Sequence, residues 1–407
     1  MKSCRRGTLW YLTAGYVALL PYQFRVERSF NFAPADIFML LVLLLAAGQL
    51  KYRREQWSFW HFAIPMVLAV GSLVASLRFG NLARYEFLNK DAGLVLPLLS
   101  YTAAASVSTD WSALRGLLRV LVAGVVIENI VAVAGYLAGY YFGVPTPFTQ
   151  YAGMRLSGML TDPNAYGGLL VVALVVAETA TWGPTPLLGR RMLWISRITL
   201  VLGILFTFSR SAWVALAAAT TLLTVVRTGV VLRLAAAILA GIPLLVLVMG
   251  RSFVPFFREM ASRPEQVQGR FDLIDQALTA FARHPLPGGG LGSFRLGAGE
   301  VAHNSAMWFL ADFGIVGLVV LLGFLGWFFV RGWMAYRLAP AAERPVVLSL
   351  LAAHAAMCGL AMGIEAFYQR QWWLIFGWIA AAHSLALQPA RQSRRHEFEV
   401  SAYAHST

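Results

Sequence analysis

Apolar runs of about twenty residues, repeated along almost the whole chain, decide what this sequence can fold into. A helix crossing the hydrocarbon core of a bilayer needs about 20 mostly apolar residues. Six stretches approach that length in the first half: Thr8–Phe24, Ala33–Leu50, Trp57–Leu77, Asp91–Val107, Leu114–Gly143 and Asp162–Thr181. Six follow: Met192–Phe208, Ser211–Val226, Val230–Gly250, His303–Val330, Val347–Phe367 and Gln371–Leu387. Lipid offers no partner to a free backbone group, so the runs form helices. The chain is 58% hydrophobic and 13% charged, with mean hydropathy +0.64, whereas soluble domains carry roughly a quarter charged residues. The expected fold is all-α, with residues 1–407 forming a single transmembrane domain of about 12 helices. No small-residue cleavage site follows the first run, which therefore reads as a retained helix rather than a signal peptide. The two cysteines, Cys4 and Cys358, exclude a disulfide framework, and no zinc-like spacing or internal repeat occurs.

The net charge of +14 sorts by side. Cytoplasmic loops collect Lys and Arg. If both termini are cytoplasmic, each inside connection is basic, from Lys2, Arg5 and Arg6, through Lys51, Arg53 and Arg54, to Arg391, Arg394 and Arg395. The other side still carries Arg25, Arg28, Arg78, Arg84, Lys90, Arg155, Arg210, Arg251, Arg258, Arg263, Arg270, Arg283, Arg295 and Arg370. All but one are arginine, whose planar fork binds phosphate or carboxylate through two parallel hydrogen bonds. The set points to an anionic substrate on the outer face. For any single member, snorkelling to lipid phosphates or pairing with a nearby carboxylate is the alternative.

One connection is far longer than the rest. Residues 251–302 form a large outer loop, and long loops with structure of their own are commonly functional. From Pro264 to Arg283 the spacing is helical, with Phe271, Ile274, Ala277, Leu278 and Phe281 as an apolar stripe. Pro264 suits a first turn. His284-Pro285 ends the helix, and Gly288-Gly289-Gly290-Leu291-Gly292 follows. Such a loop can present N–H groups to phosphate, or be a flexible turn; no Lys-Ser/Thr follows to make it a Walker motif. His303-Asn304-Ser305 then opens a helix whose N terminus favours negative charge. His303 there is either an acid–base group or a simple interfacial residue. Asp312, nine residues on, lies about 180° round that helix and does not pair with it.

In this order the motifs resemble the O-antigen ligase and polymerase superfamily of bacterial envelope glycosyltransferases, most strongly from Arg155 to Phe376. Arg155-Leu-Ser-Gly158 with Thr161-Asp-Pro-Asn164-Ala-Tyr-Gly167 is similar to that family's arginine, glycine and Pro-Asn segment. Phe208-Ser-Arg210-Ser is similar to its Ser-Arg-Ser junction. Gly269-Arg270 and His284-Pro285 with the glycines are similar to its large loop, His303-Asn304-Ser305 with Gly314-Ile-Val-Gly317 to its signature helix, and Arg370-Gln-Trp372 to its closing helix.

The resemblance implies a fold similar to other multi-helix, lipid-donor glycosyltransferases, and an enzyme of the bacterial inner membrane with a periplasmic active site. Its substrate would be an oligosaccharide on undecaprenyl diphosphate, moved en bloc to an acceptor glycan (another lipid-linked repeat or lipid A-core), with no metal and no cofactor. Its partners would be these glycans and membrane lipids, not nucleic acid. It maps Arg210, Arg270 and His303 as catalytic, and Arg155, Arg370, Asn304 and Glu365 as substrate-binding. The first two arginines would stabilise a departing diphosphate. Glu365 and Tyr368 would order Arg370, or Glu365 would act on the acceptor. Glu128, His354 and His383 fall inside predicted helices, as functional groups or as interhelical bonds. Thr161-Asp-Pro-Asn164 and Asn31 to Asp36 favour an exopolysaccharide-type polymerase over a ligase. A transporter of the same lipid-linked sugar is the rival, but the midplane polar sites and inverted repeats common in transporters are not evident.

Overall fold

The computed structural model describes residues 7–27, 30–51, 54–80, 90–150, 155–250 and 264–404. Cys4, the basic residues Lys2, Arg5, Arg6 and Arg53, and Arg28, Arg84, Arg251, Arg258 and Arg263 of the outer set lie outside the described residues, as does the first part of the long loop.

The described residues form thirteen α-helices. They are α1 (Thr8–Ala18), α2 (Pro34–Leu45), α3 (Phe59–Phe79), α4 (Val95–Val107), α5 (Trp111–Phe142), α6 (Pro163–Ala180) and α7 (Arg190–Thr207), then α8 (Arg210–Met249), α9 (Pro264–Arg283), α10 (Ser293–Ala298), α11 (Ser305–Leu338), α12 (Arg344–Ala361) and α13 (Arg370–Ala404). Two small antiparallel hairpins pair Phe24–Glu27 with Phe30–Phe32 and Thr149–Gln150 with Arg155–Leu156. The helical class expected from the apolar runs is the one observed.

Among the described residues six helices, α3, α5, α6, α8, α11 and α12, are long and apolar enough to cross a membrane. α1, α2 and α4 have only 11, 12 and 13 residues, fewer than their apolar runs implied. The runs record side chains, whereas helices end where the backbone turns. α2 gives way to a 3₁₀ turn at Ala47–Gln49, and α4 is preceded by another at Ala92–Leu94.

The most apolar windows of α6 and α12 are 94% and 89% buried, and α12 packs against both α6 and α8. Helices that are apolar all round belong in such a centre. α3 and α8 are only 28% and 17% buried over theirs, and turn Phe59, Leu77, Val225 and Leu247 outward. Apolar faces of this extent are expensive in water and suited to lipid.

Two helices are broken. In α8 the backbone at Arg227 is extended (φ −155°, ψ 77°). Beyond the break Arg233 stacks 3.2 Å above the ring of Trp182, and Gly241 comes against Val201 and Leu205. The second half of α8 therefore returns alongside α7. The break falls between the two runs Ser211–Val226 and Val230–Gly250.

The break in α11 falls at Gly314 (φ 66°, ψ −161°). The backbone groups it frees are met by the glycine loop. Ile315 N–H donates to the Pro285 carbonyl (3.1 Å), Gly289 N–H to Ala311 (3.0 Å) and Gly290 N–H to Asp312 (2.9 Å). On the other side Leu291 N–H reaches the Gly71 carbonyl of α3 (3.0 Å). The segment is thus neither a phosphate cradle nor a loose turn, because the N–H groups of Gly289 to Gly292 are spent on α3 and α11. Gly288, at φ 92°, is forced: a Cβ there would stand 2.4 Å from the Asp312 carbonyl oxygen. Gly288→Ala is expected to cost at least about 2 kcal/mol, through strain and overpacking. Thermal unfolding in detergent reads this against Gly297→Ala, where a Cβ meets nothing within 4 Å.

α9 begins at Pro264 and ends at Arg283, as the spacing predicts. Its buried stripe is different, however. Leu273 and Ala277 are covered, while Phe271 and Leu278 are exposed.

Candidate functional site

Three helices open at one end of the bundle, each with a side chain capping its first turn. Asp162 accepts from Asn164 N–H (2.9 Å) at α6, and Ser209 Oγ from Ala212 N–H (3.1 Å) at α8. Asn304 Oδ1 accepts from Ala306 and Met307 N–H (2.9 and 3.1 Å) at α11. Side-chain oxygens at this position satisfy N–H groups that the helix cannot.

The α8 opening is held from below. Asn164 Oδ1 accepts from Ser209 Oγ (2.8 Å) and from Arg155 Nη2 (3.0 Å), and Arg155 Nε donates to the Thr207 carbonyl (2.9 Å). Arg155 is buried. Its guanidinium therefore fixes the turn that carries Arg210, the first residue of α8. Phe208, between them, sits at φ 47°, a left-handed conformation that a bulky residue adopts only under constraint. Asn164→Ala removes the hub of this network. The expected result, read by thermal unfolding in detergent, is a lower unfolding temperature that Asn164→Asp, which retains an acceptor oxygen, partly restores.

The loop after α12 joins this junction to α11. Asn304 Nδ2 donates to the Met362 carbonyl (3.3 Å), Ser305 Oγ to the Ile364 carbonyl (3.1 Å), and Ala366 N–H to Ser305 Oγ (2.9 Å). Between these bonds, Gly363 faces α8 and α9. A Cβ on Gly363 would lie 2.2 Å from Ser211 Oγ and 3.5 Å from Arg270 Nη1. Arg270 of α9, the first turn of α8 with Arg210, and the His303–Ser305 opening of α11 thus border one short loop. His303 is, with Phe208, one of two non-glycine residues at positive φ among those described, also at 47°. Each stands just before a capping residue of the site.

Glu365 lies on the same loop. One carboxylate oxygen accepts from Ala302 N–H (3.2 Å), beside His303, and the other meets Lys90 Nζ (2.9 Å). Lys90 also lies over the rings of Trp308 (4.4 Å) and Tyr368 (5.1 Å). Glu365 is therefore tied to Lys90 and Ala302. Arg370, which it was expected to order, is gripped by Asp36 through two parallel bonds, Nε to Oδ1 (2.8 Å) and Nη2 to Oδ2 (2.6 Å). That fork, expected on substrate, is taken up by a clamp of α2 to α13.

The polar groups within helices have structural partners. Glu128 accepts from Met159 N–H (2.9 Å) and the Tyr166 hydroxyl (2.7 Å). His354 Nδ1 accepts from Trp372 Nε1 (2.9 Å) while Nε2 meets the Leu325 carbonyl (3.1 Å). His383 Nδ1 lies 3.1 Å from Arg331 Nη1. The sequence motifs include Asn164, and the spacing sets Asp312 apart from His303, but neither motif nor spacing assigns these two a role or singles out Gly363. The Pro-Asn pair directly after an N-capping Asp was the available signal for Asn164. Nothing local marked Gly363.

An all-helical integral membrane protein with arginines and helix N termini gathered at one end defines a class suited to anionic substrates. Residues 195–322 match the family described as O-antigen ligase. That stretch, which contains Arg210, Arg270, His303 and Asn304, is similar to the O-antigen ligase family. No curated protein matches the chain.

Proposed function

We propose that the protein is a glycosyltransferase that moves an oligosaccharide en bloc from undecaprenyl diphosphate to an acceptor sugar hydroxyl at the periplasmic face, and that it acts as a surface-polysaccharide polymerase. The observation that carries this reading is the convergence of Arg270, the Arg210 helix opening and the His303 helix opening on the Met362–Phe367 loop, in a chain whose matched segment contains all three. About twelve membrane crossings, both termini inside and a periplasmic loop over residues 251–302 complete it. The orientation rests on the basic inside connections.

In the reaction, the acceptor oxygen bonds to the anomeric carbon as the bond from that carbon to the diphosphate oxygen breaks. Arg210 and Arg270 hold the diphosphate as negative charge builds on it, which is where fixed donors act most strongly. His303 takes the acceptor proton, or donates to the phosphate while the acceptor proton passes to water. Arg155 supports Arg210, while Asn304 and Glu365 fix the turn bearing His303. Arg370 enters only through its clamp on Asp36. The chemistry of these residues calls for no metal and no nucleotide sugar.

The test supplies purified protein in nanodiscs with lipid-linked repeat unit from the native host, with and without lipid A-core, and without divalent metal. Longer lipid-linked glycan in the absence of lipid A-core is the expected result. Glycan appearing only on lipid A-core makes the protein a ligase. Movement of the donor across liposomes with no transfer overturns the enzyme reading in favour of transport.

A further inference from the structure

A cleft of about 720 Å³ opens between the end of α3, one face of α9, and α10. It is separate from the Met362–Phe367 loop. Gln276, Thr279, Ala280 and Arg283 of α9 line it at i, i+3, i+4 and i+7, a spacing that puts them on one helical face. Half-buried Phe79 and exposed Leu296 supply apolar surface, with the edge of buried Phe294 behind them. Arg78 and Arg283 supply charge, and no carboxylate lines the cleft among the described residues.

The Arg78 guanidinium is aimed by the glycine loop. Nη1 donates to the Gly289 carbonyl (3.1 Å), and Nη2 lies 3.5 Å from His284 Nδ1. Arg283 has no ion-pair partner among the described residues. α9 also fixes the cleft's relation to Arg270. At 1.5 Å per residue, the lining begins about 9 Å along the axis from Arg270, at Gln276, and ends about 20 Å from it, at Arg283. A sugar chain whose diphosphate lies at Arg270 reaches that distance a few units from its lipid end. Rings, hydroxyl-bonding side chains and cations together are what an acidic sugar requires: aromatic faces for its C–H surface, Gln and Thr for hydroxyls, arginine for a carboxylate or sulfate.

We propose that this cleft is a subsite for the glycan chain, and that Arg78 and Arg283 select chains carrying an acidic sugar. The inference rests on the glycosyltransferase reading. Its test is a binding measurement that does not depend on transfer. Purified protein in phosphatidylcholine nanodiscs is titrated calorimetrically with a soluble galacturonate tetramer and with the neutral galactose tetramer.

The expected result is at least about tenfold tighter binding of the uronate, a preference that shrinks with added salt. Arg283→Gln, an exposed change, should lose that preference, and Arg210→Ala should keep it. Equal binding of the two sugars, or an unchanged preference in Arg283→Gln, overturns the proposal. A membrane phosphate is the other anion such a pair could hold. If phosphatidylglycerol nanodiscs abolish uronate binding in the wild type, the cleft is a lipid site and the proposal fails. Loss of transfer with uronate binding intact would instead count against the parent reading alone.

Discussion

Arg210→Ala protein is expected to reach the membrane at wild-type level and to transfer glycan at least about 100-fold more slowly, the loss seen when one fixed donor to a developing anion is removed, about 2.7–4 kcal/mol. Folding should survive because the turn at Arg210 is built by other groups. Ser209 caps α8, Asn164 holds Ser209, and Arg155 holds both Asn164 and the Thr207 carbonyl. Arg270→Ala should behave alike. The double variant should be little worse than either single one if both arginines hold the same diphosphate, since groups that act as a unit are not additive. Arg210→Lys keeps the charge but loses the fork, and should recover only part of the rate. Single-turnover consumption of lipid-linked donor by purified variants measures all of this. A near-normal rate in Arg210→Ala would remove that residue from the reaction.

The second large effect is on stability. Asp312 is fully buried, and its carboxylate accepts from Gly292 N–H (2.7 Å), Phe294 N–H (2.9 Å), Ser293 Oγ (3.0 Å) and Trp308 Nε1 (2.8 Å). Alanine would strand these donors, each buried donor left unmade costing about 1–3 kcal/mol. Asp312→Ala is therefore expected to lose roughly 3–5 kcal/mol, comparable to breaking a buried ion pair. Asp312→Asn should fall between, because its amide nitrogen cannot accept. Unfolding temperature in detergent reads the loss, and proteolysis at Arg283 and Arg295 should accelerate first if α10 is released before the bundle. An Asp312→Ala protein melting with the wild type would show that the carboxylate does not organise this region.

What the sequence disclosed and what it withheld follow from the range of the interactions. The apolar runs gave the helical class, and Pro264 with the stripe behind it gave α9, because both are matters of residues within a few turns of one another. The caps Asp162, Ser209 and Asn304 all fell inside quoted motifs for the same reason. The Arg370–Asp36 clamp and the Lys90–Glu365 bridge join residues 334 and 275 positions apart. No spacing rule reaches that far, so the sequence shows the Arg370 fork without the Asp36 carboxylate that it meets. Asp312 lies away from His303, as the spacing predicts. Its partners are Trp308 on its own helix and Gly292, Ser293 and Phe294, which lie 18 to 20 positions back in the chain, beyond any helical spacing rule.

That broken helix limits how this protein can be recombined. The segment from Pro285 to Leu291 borrows carbonyls from Gly71, Ala311 and Asp312 and lends one to Ile315. A chimera that exchanges the loop alone between relatives would leave those donors and acceptors facing the wrong backbone. The exchangeable module is the loop together with the middle of α3 and the first three turns of α11. A breakpoint drawn at the ends of the loop would cut through one continuous set of hydrogen bonds.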